Sequence, residues 1–137
     1  MFKWRDSFST NVAEIDNQHK KLFEIGSRLF EVASLKDDCD HYDEMMGILD
    51  ELRDYTLYHF KFEENLMVEN GYNNYENHKI EHDFFIKKLV RLEKSDLDND
   101  QNESLIKMLN FVADWISSHI LKTDMNYREH FNSRGVY

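Results

Sequence analysis

Apolar residues recur along this chain at alternating steps of three and four, the period of helices that bury one face. A first helix is expected over 17–34, with Ile15, His19, Leu22, Gly26, Leu29 and Ala33 on one stripe and Asp16 as its N-cap. A second, over 41–69, carries Met45, Ile48, Leu52, Tyr55, His59, Phe62 with Glu63, and Leu66, and stops at Asn70-Gly71. A third, over 75–92, carries Tyr75, His78, His82, Phe85, Leu89 and Leu92. After the polar stretch 94–102, a fourth turns Leu105, Met108, Leu109, Val112, Ile116 and His119 inward.

With no proline and four glycines, little in the chain interrupts these helices. The link 70–74 is short enough to make the second and third antiparallel neighbours, and the other links suit the same alternation. The expected fold is an all-α, up-down-up-down four-helix bundle forming one domain over 1–137. Residues 1–14 precede it as an arm whose Trp4 and Phe8 pack across the helices.

Composition narrows the function classes. The 137 residues are 41% hydrophobic and 14% aromatic, enough for a packed core with a dry interior pocket. A net charge of -10 with no Lys/Arg stripe disfavours nucleic acid and anionic membrane as partners. No run of apolar residues is long enough to span a membrane, and Met1-Phe2-Lys3-Trp4-Arg5-Asp6 lacks the apolar core of a signal peptide. The single cysteine, Cys39, sits in a polar stretch away from the candidate ligands and favours a reducing compartment. The expected location is therefore cytoplasmic.

The anomaly is that His19, His59, Glu63, His78, His82 and His119 all fall on stripes that face the core. Burying them unpaired would cost several kcal/mol for each charged group, and a metal supplies partners to several at once. A helical step of four leaves two side chains about 40° apart and about 6 Å along the axis, within reach of one site. His59-x-x-x-Glu63 and His78-x-x-x-His82 are such pairs. Each pair alone is weak; what chance does not readily supply is inward donors from all four helices, with His19 as the missing corner. Asp124 follows His119 by five residues, about 140° away on an ideal helix, so both can serve one site only if the helix ends or bulges between them. His41 and His130, at a helix start and near the C-terminus, read as solvated.

Imidazoles with carboxylates suit iron, manganese or zinc. Seven donors exceed one octahedral ion. Two carboxylates can bridge two ions, and five histidines then divide three and two. An oxide or hydroxide bridge completes one ion and leaves the other one position short. On a redox-active metal, that position is where dioxygen would bind.

The residues that carry this site also carry a resemblance. Trp4 and Phe8, Ile15-Asp16-Asn17-Gln18-His19-Lys20-Lys21-Leu22-Phe23, His59-Phe60-Lys61-Phe62-Glu63-Glu64 with Met67 and Tyr72, His78-Lys79-Ile80-Glu81-His82, and Trp115-Ile116-Ser117-Ser118-His119-Ile120 with Asp124 and Tyr127 resemble the bacterial hemerythrins over nearly the whole chain. Asn73 departs from the proline that often follows the tyrosine there, in a loop away from the site. The resemblance implies two Fe ions bridged by oxide or hydroxide. His78, His82 and His119 would bind the full iron, His19 and His59 the open one, and Glu63 and Asp124 would bridge both. It further implies a dry pocket lined by Phe60, Ile116 and Ile120, with Trp115 and Tyr127 near it.

Reversible dioxygen binding without turnover, for transport, storage or supply to an oxygen-consuming partner protein, is the reading this implies. The alternatives are a di-iron oxidase or peroxide-consuming enzyme, and an oxygen or redox sensor acting through a partner. Di-iron oxidase bundles use glutamates with Glu-x-x-His motifs, which these ligands do not form. The histidine-rich donor set favours the reduced state and hence reversible binding.

Overall fold

The computed structural model describes residues 3–35, 41–94 and 101–137, with the side chains of 92–94 and 101–106 outside that description. Four long helices form the bundle: α1 (Ala13–Ala33), α2 (Tyr42–Glu69), α3 (Tyr75–Lys94) and α4 (Gln101–Ser118). A π turn, His119–Thr123, and a 3-10 turn, Asp124–Tyr127, then lead into a short α5 (Arg128–Ser133). α1 packs on α2 and α4, and α3 packs on the same two, which closes the ring in chain order. Among the described residues there is no strand, and no helix is long and apolar enough to cross a membrane.

Most predicted stripes are buried: Ile15, Leu22, Leu29, Met45, Ile48, Leu52, Phe85, Leu89, Met108, Val112 and Ile116 all lie in the interior. Tyr55, Phe62, Leu66 and Tyr75 are half-buried at its margin. Ala33, expected on the inward stripe of α1, is exposed at the helix end. Leu92, Leu105 and Cys39 fall outside the described side chains.

Two helix ends show how local chemistry sets the frame. α1 begins at Ala13 rather than 17, so Asp16 lies in its first turn and is not the N-cap. Its carboxylate instead accepts from the Ser9 hydroxyl at 2.5 Å and from the Thr10 backbone N–H and hydroxyl at 2.8 and 2.9 Å. This anchors the arm, and Trp4 and Phe8 pack on Phe23 of α1 as expected. α2 ends where predicted, with Gly71 at φ 65° donating to Val68 O and Tyr72 donating to Met67 O at 2.9 Å. This is the left-handed glycine stop that satisfies the last carbonyls and turns the chain into α3.

The apolar interior is divided in two. A large cluster includes Leu22, Phe60, Phe85, Leu89, Ile116 and Ile120, and a smaller one includes Ile15, Met67, Tyr72, Tyr127 and Phe131. His19 lies between Ile15 and Leu22 on α1, and Glu63 lies between Phe60 and Met67 on α2. The polar layer is therefore held between two apolar plugs.

Candidate metal centre

Each long helix delivers its donors to this layer: His19 from α1, His59 and Glu63 from α2, and His78 and His82 from α3, with His119 directly after α4. All are buried, and Glu63 and Asp124 show no exposure at all. The expected bulge is present between His119 and Asp124. The Asp124 N–H donates to the His119 carbonyl, the i→i+5 bond of a π turn. That wider turn brings the residue five positions on back over the first, and His119 Nε2 lies 2.9 Å from Asp124 Oδ1.

The ring nitrogens converge on the two carboxylates. Asp124 Oδ1 is 2.9 Å from His78 Nε2, and Oδ2 is 3.0 Å from His19 Nε2. Glu63 Oε1 is 3.1 Å from His59 Nε2 and 3.8 Å from His82 Nε2, and Oε2 is 4.0 Å from His78 Nε2. The seven residues thus form two overlapping donor groups whose ligand atoms lie within 4.8 Å of one another. One is Glu63, His78, His82, His119 and Asp124; the other is His19, His59, Glu63 and Asp124. The two carboxylates belong to both.

The donor chemistry fits cations. Despite these distances, His19 Nε2, His78 Nε2, Glu63 Oε1 and both Asp124 oxygens have no hydrogen-bond partner although fully buried. Buried polar atoms are almost always paired, so this many orphans in one layer marks a place where a positive ion completes them. His82 Nε2 and His119 Nε2 face each other at 3.0 Å, as two lone pairs aimed at one ion would.

Without an ion, the layer compensates internally. Burial would raise the Glu63 carboxyl and Asp124 adds to that, yet His59 and His82 hold it at about 2. Burial would lower His119, but Asp124 and Glu81 push it up to about 10. Asp124 is kept well below its usual range, against burial, chiefly by His119. Burial, with Asp124 and Glu63 beside it, drives the Tyr127 phenol well above its usual value. Tyr127 therefore stays a donor, and its hydroxyl gives a hydrogen bond to Glu63 Oε2 at 3.1 Å.

A small interior cavity abuts the layer, lined among others by Leu22, His59, Phe60, Ile116, His119 and Ile120. It leaves about 10 Å³ for the centre of a water-sized sphere, at the lower limit for one water. Thr56 also lines it but donates its hydroxyl to the Leu52 carbonyl at 2.6 Å, which leaves no free proton facing inward. Four of the expected pocket residues, Phe60, Trp115, Ile116 and Ile120, line this cavity. Phe60 and Trp115 also stack on ligand rings, Phe60 on His82 at 3.7 Å and Trp115 on His119 at 4.4 Å. Tyr127 is not among the lining residues and packs against His78 at 5.6 Å.

His41 and His130 belong to neither donor group. His41, also expected to be solvated, is half-buried and pairs with Glu44 at 3.1 Å. His130, expected to be solvated, is half-buried, packs on Tyr72 and donates to the Asn70 carbonyl at 2.7 Å, because α5 folds back onto the α2–α3 turn.

The outer partners of the ligands were not among the residues expected from sequence. His59 Nδ1 meets Gln18 Oε1 at 2.7 Å, His82 Nδ1 meets Glu64 Oε2 at 2.9 Å, and His119 Nδ1 meets Glu81 Oε2 at 2.9 Å. Gln18, Glu64 and Glu81 each adjoin a ligand in sequence, yet each holds a ligand from a different helix. That adjacency is the one signal that could have found them.

Comparison with known proteins agrees with this geometry. Residues 10–130 match the hemerythrin HHE cation binding domain. The chain is 41% identical over 127 residues to a bacteriohemerythrin of Clostridium acetobutylicum, covering 93% of this chain and 98% of that one. It is 35% identical to the bacteriohemerythrin of Methylococcus capsulatus, covering 88% of each. A crystal structure of wild-type hemerythrin superposes with a TM-score of 0.77 at 32% identity, covering 93% of this chain and 95% of that one. With its four-helix bundle and its layer of histidines and carboxylates, this chain belongs to the hemerythrin family.

Proposed function

We propose that this chain binds dioxygen reversibly at a non-haem di-iron centre, as a carrier, store or local supplier and not as an enzyme. The observation that carries the reading is the pairing of two donor groups sharing Glu63 and Asp124 with a small, mostly apolar cavity against His59 and His119. A bound iron pair would supply two electrons to dioxygen and take them back on release.

The chain's own residues do the rest. His78, His82 and His119 would hold one iron, and His19 and His59 the other, which would have one donor fewer. Glu63 and Asp124 would span both, and Tyr127 steadies Glu63 by donating to Oε2. Gln18, Glu64 and Glu81 take the outward Nδ1 protons of His59, His82 and His119, which fixes the tautomer that aims Nε2 inward. Leu22, Ile116 and Ile120 line the cavity with hydrocarbon, which limits water and proton donors beside dioxygen held there.

The whole chain is taken as one domain, working in the reducing cytoplasm where the centre stays reduced between encounters. A visible spectrum of the anaerobically reduced protein, recorded before oxygen, after oxygen and after its removal, tests the reading. Colour that appears and then disappears is expected with about two irons per chain. Colour that decays under oxygen with turnover of a reductant would make the protein an oxidase. One metal per chain, or zinc retained from iron-replete cells, would end the di-iron assignment.

A further inference from the structure

The two donor groups differ in what stands behind their imidazoles. In the three-histidine group, His82 and His119 each donate Nδ1–H to a carboxylate, Glu64 and Glu81, while His78 Nδ1, like His19 Nδ1, has no partner. In the two-histidine group, His59 donates to the neutral amide of Gln18, and His19 Nδ1 has no partner. A carboxylate behind an imidazole makes the ring a more basic ligand and places negative charge near the metal, whereas an amide supplies only the hydrogen bond. Negative charge near a metal favours its higher oxidation state.

From this asymmetry we infer that Glu64 and Glu81 are positioning residues that make the His78–His82–His119 position the more electron-rich, so its iron gives up the first electron. This rests on the di-iron reading above. It assigns to residues outside the ligand set the ranking of the two metals, which ligand count alone leaves to the one extra imidazole.

The geometry also shows how to separate charge from shape. Phe60 lies parallel to the His82 ring within 5°, and Trp115 parallel to His119 within 12°. Both rings are therefore clamped on a face as well as at Nδ1. Glutamine in place of either glutamate keeps an oxygen acceptor and removes only the charge. The Glu64 side chain is 17% exposed and that of Glu81 is 47% exposed, so water screens Glu81 more and Glu64 carries the larger effect.

The test is an anaerobic titration of the iron-loaded, reduced protein with ferricyanide, which takes one electron from the iron pair and becomes ferrocyanide. The one-electron-oxidised pair is followed by electron paramagnetic resonance. Glu64→Gln and Glu81→Gln are expected to keep both irons. At a fixed potential, Glu64→Gln should lower the oxidised-to-reduced ratio of the first iron about tenfold, equivalent to 59 mV for one electron. Glu81→Gln should lower it less.

The converse change is Gln18→Glu, made together with Glu14→Gln because Gln18 Nε2 donates to Glu14 Oε1 at 3.2 Å and two carboxylates would repel there. It places a charge behind His59 and should narrow the gap between the two one-electron steps. Unchanged potentials in Glu64→Gln, or an unchanged gap in the Gln18 variant, overturn the inference while leaving the di-iron reading intact. If Glu64→Gln loses iron, the Gln18 variant alone decides. A parent protein without two irons refutes the di-iron reading itself.

Discussion

Replacing Ile116 with alanine probes the dry cavity most directly. Ile116 is 3% exposed, one helical turn before His119, and lines the cavity with Leu22, Phe60 and Ile120. Its side chain beyond Cβ contributes roughly 0.8 kcal/mol for each buried carbon, and incomplete collapse adds a cavity cost, so about 2–4 kcal/mol of stability should be lost. The present space, about 10 Å³ for the centre of a water-sized sphere, is at the threshold for one water. Truncation crosses that threshold beside the donors, so water would supply two protons there and dioxygen would leave as hydrogen peroxide with the two electrons. Iron content should be unchanged, while the oxygenated protein decays to the oxidised form several times faster. Leu89→Ala is the control, since Leu89 is fully buried in the same apolar cluster but does not line the cavity. It should cost similar stability with little change in decay rate. The assay is the loss of the oxygenated spectrum over time, with chemical denaturation for stability. Equal decay in the two variants, or the parent rate in Ile116→Ala, would reduce Ile116 to ordinary packing.

Three further outcomes follow from the site. Glu63→Ala should lose most bound iron and His41→Ala should lose none, because one removes a donor common to both groups and the other a surface-helix partner of Glu44; equal iron by elemental analysis refutes the shared-carboxylate geometry. In the metal-free protein, the raised His119 stabilises fully below its ordinary 6.5 and less as pH climbs toward about 10, while the depressed Glu63 stabilises above its ordinary 4.5 and less as pH falls toward about 2. Melting temperature should thus peak between about pH 4.5 and 6.5 and fall on both sides, and a maximum near pH 9 would contradict this coupling. Tyr127→Phe removes the donor to Glu63 Oε2 inside the bundle and should cost about 1–3 kcal/mol, measured by denaturant unfolding of the metal-free protein; an unchanged midpoint would show that the hydrogen bond contributes nothing.

The amino-acid sequence alone carried the helices, their inward faces and the six candidate donors on those faces, because a helix repeats every 3.6 residues and a buried imidazole or carboxylate stands out against an apolar stripe. It also carried the need for a break between His119 and Asp124, since five residues on a regular helix point apart. What it did not carry was which side chains outside the ligand set meet across helices. Gln18, Glu64 and Glu81 read as ordinary polar neighbours of ligands until the bundle turned each toward an imidazole on another helix. Asp16 satisfied the local pattern of an N-cap, but its carboxylate went to Ser9 and Thr10 because α1 begins earlier, at Ala13. His130 read as solvated until α5 laid it on Tyr72. The size of the cavity beside His59 is likewise a property of the assembled bundle. Periodicity is local and survives in one dimension, whereas a hydrogen bond between helices depends on their packing distance and rotation, which only the tertiary structure decides.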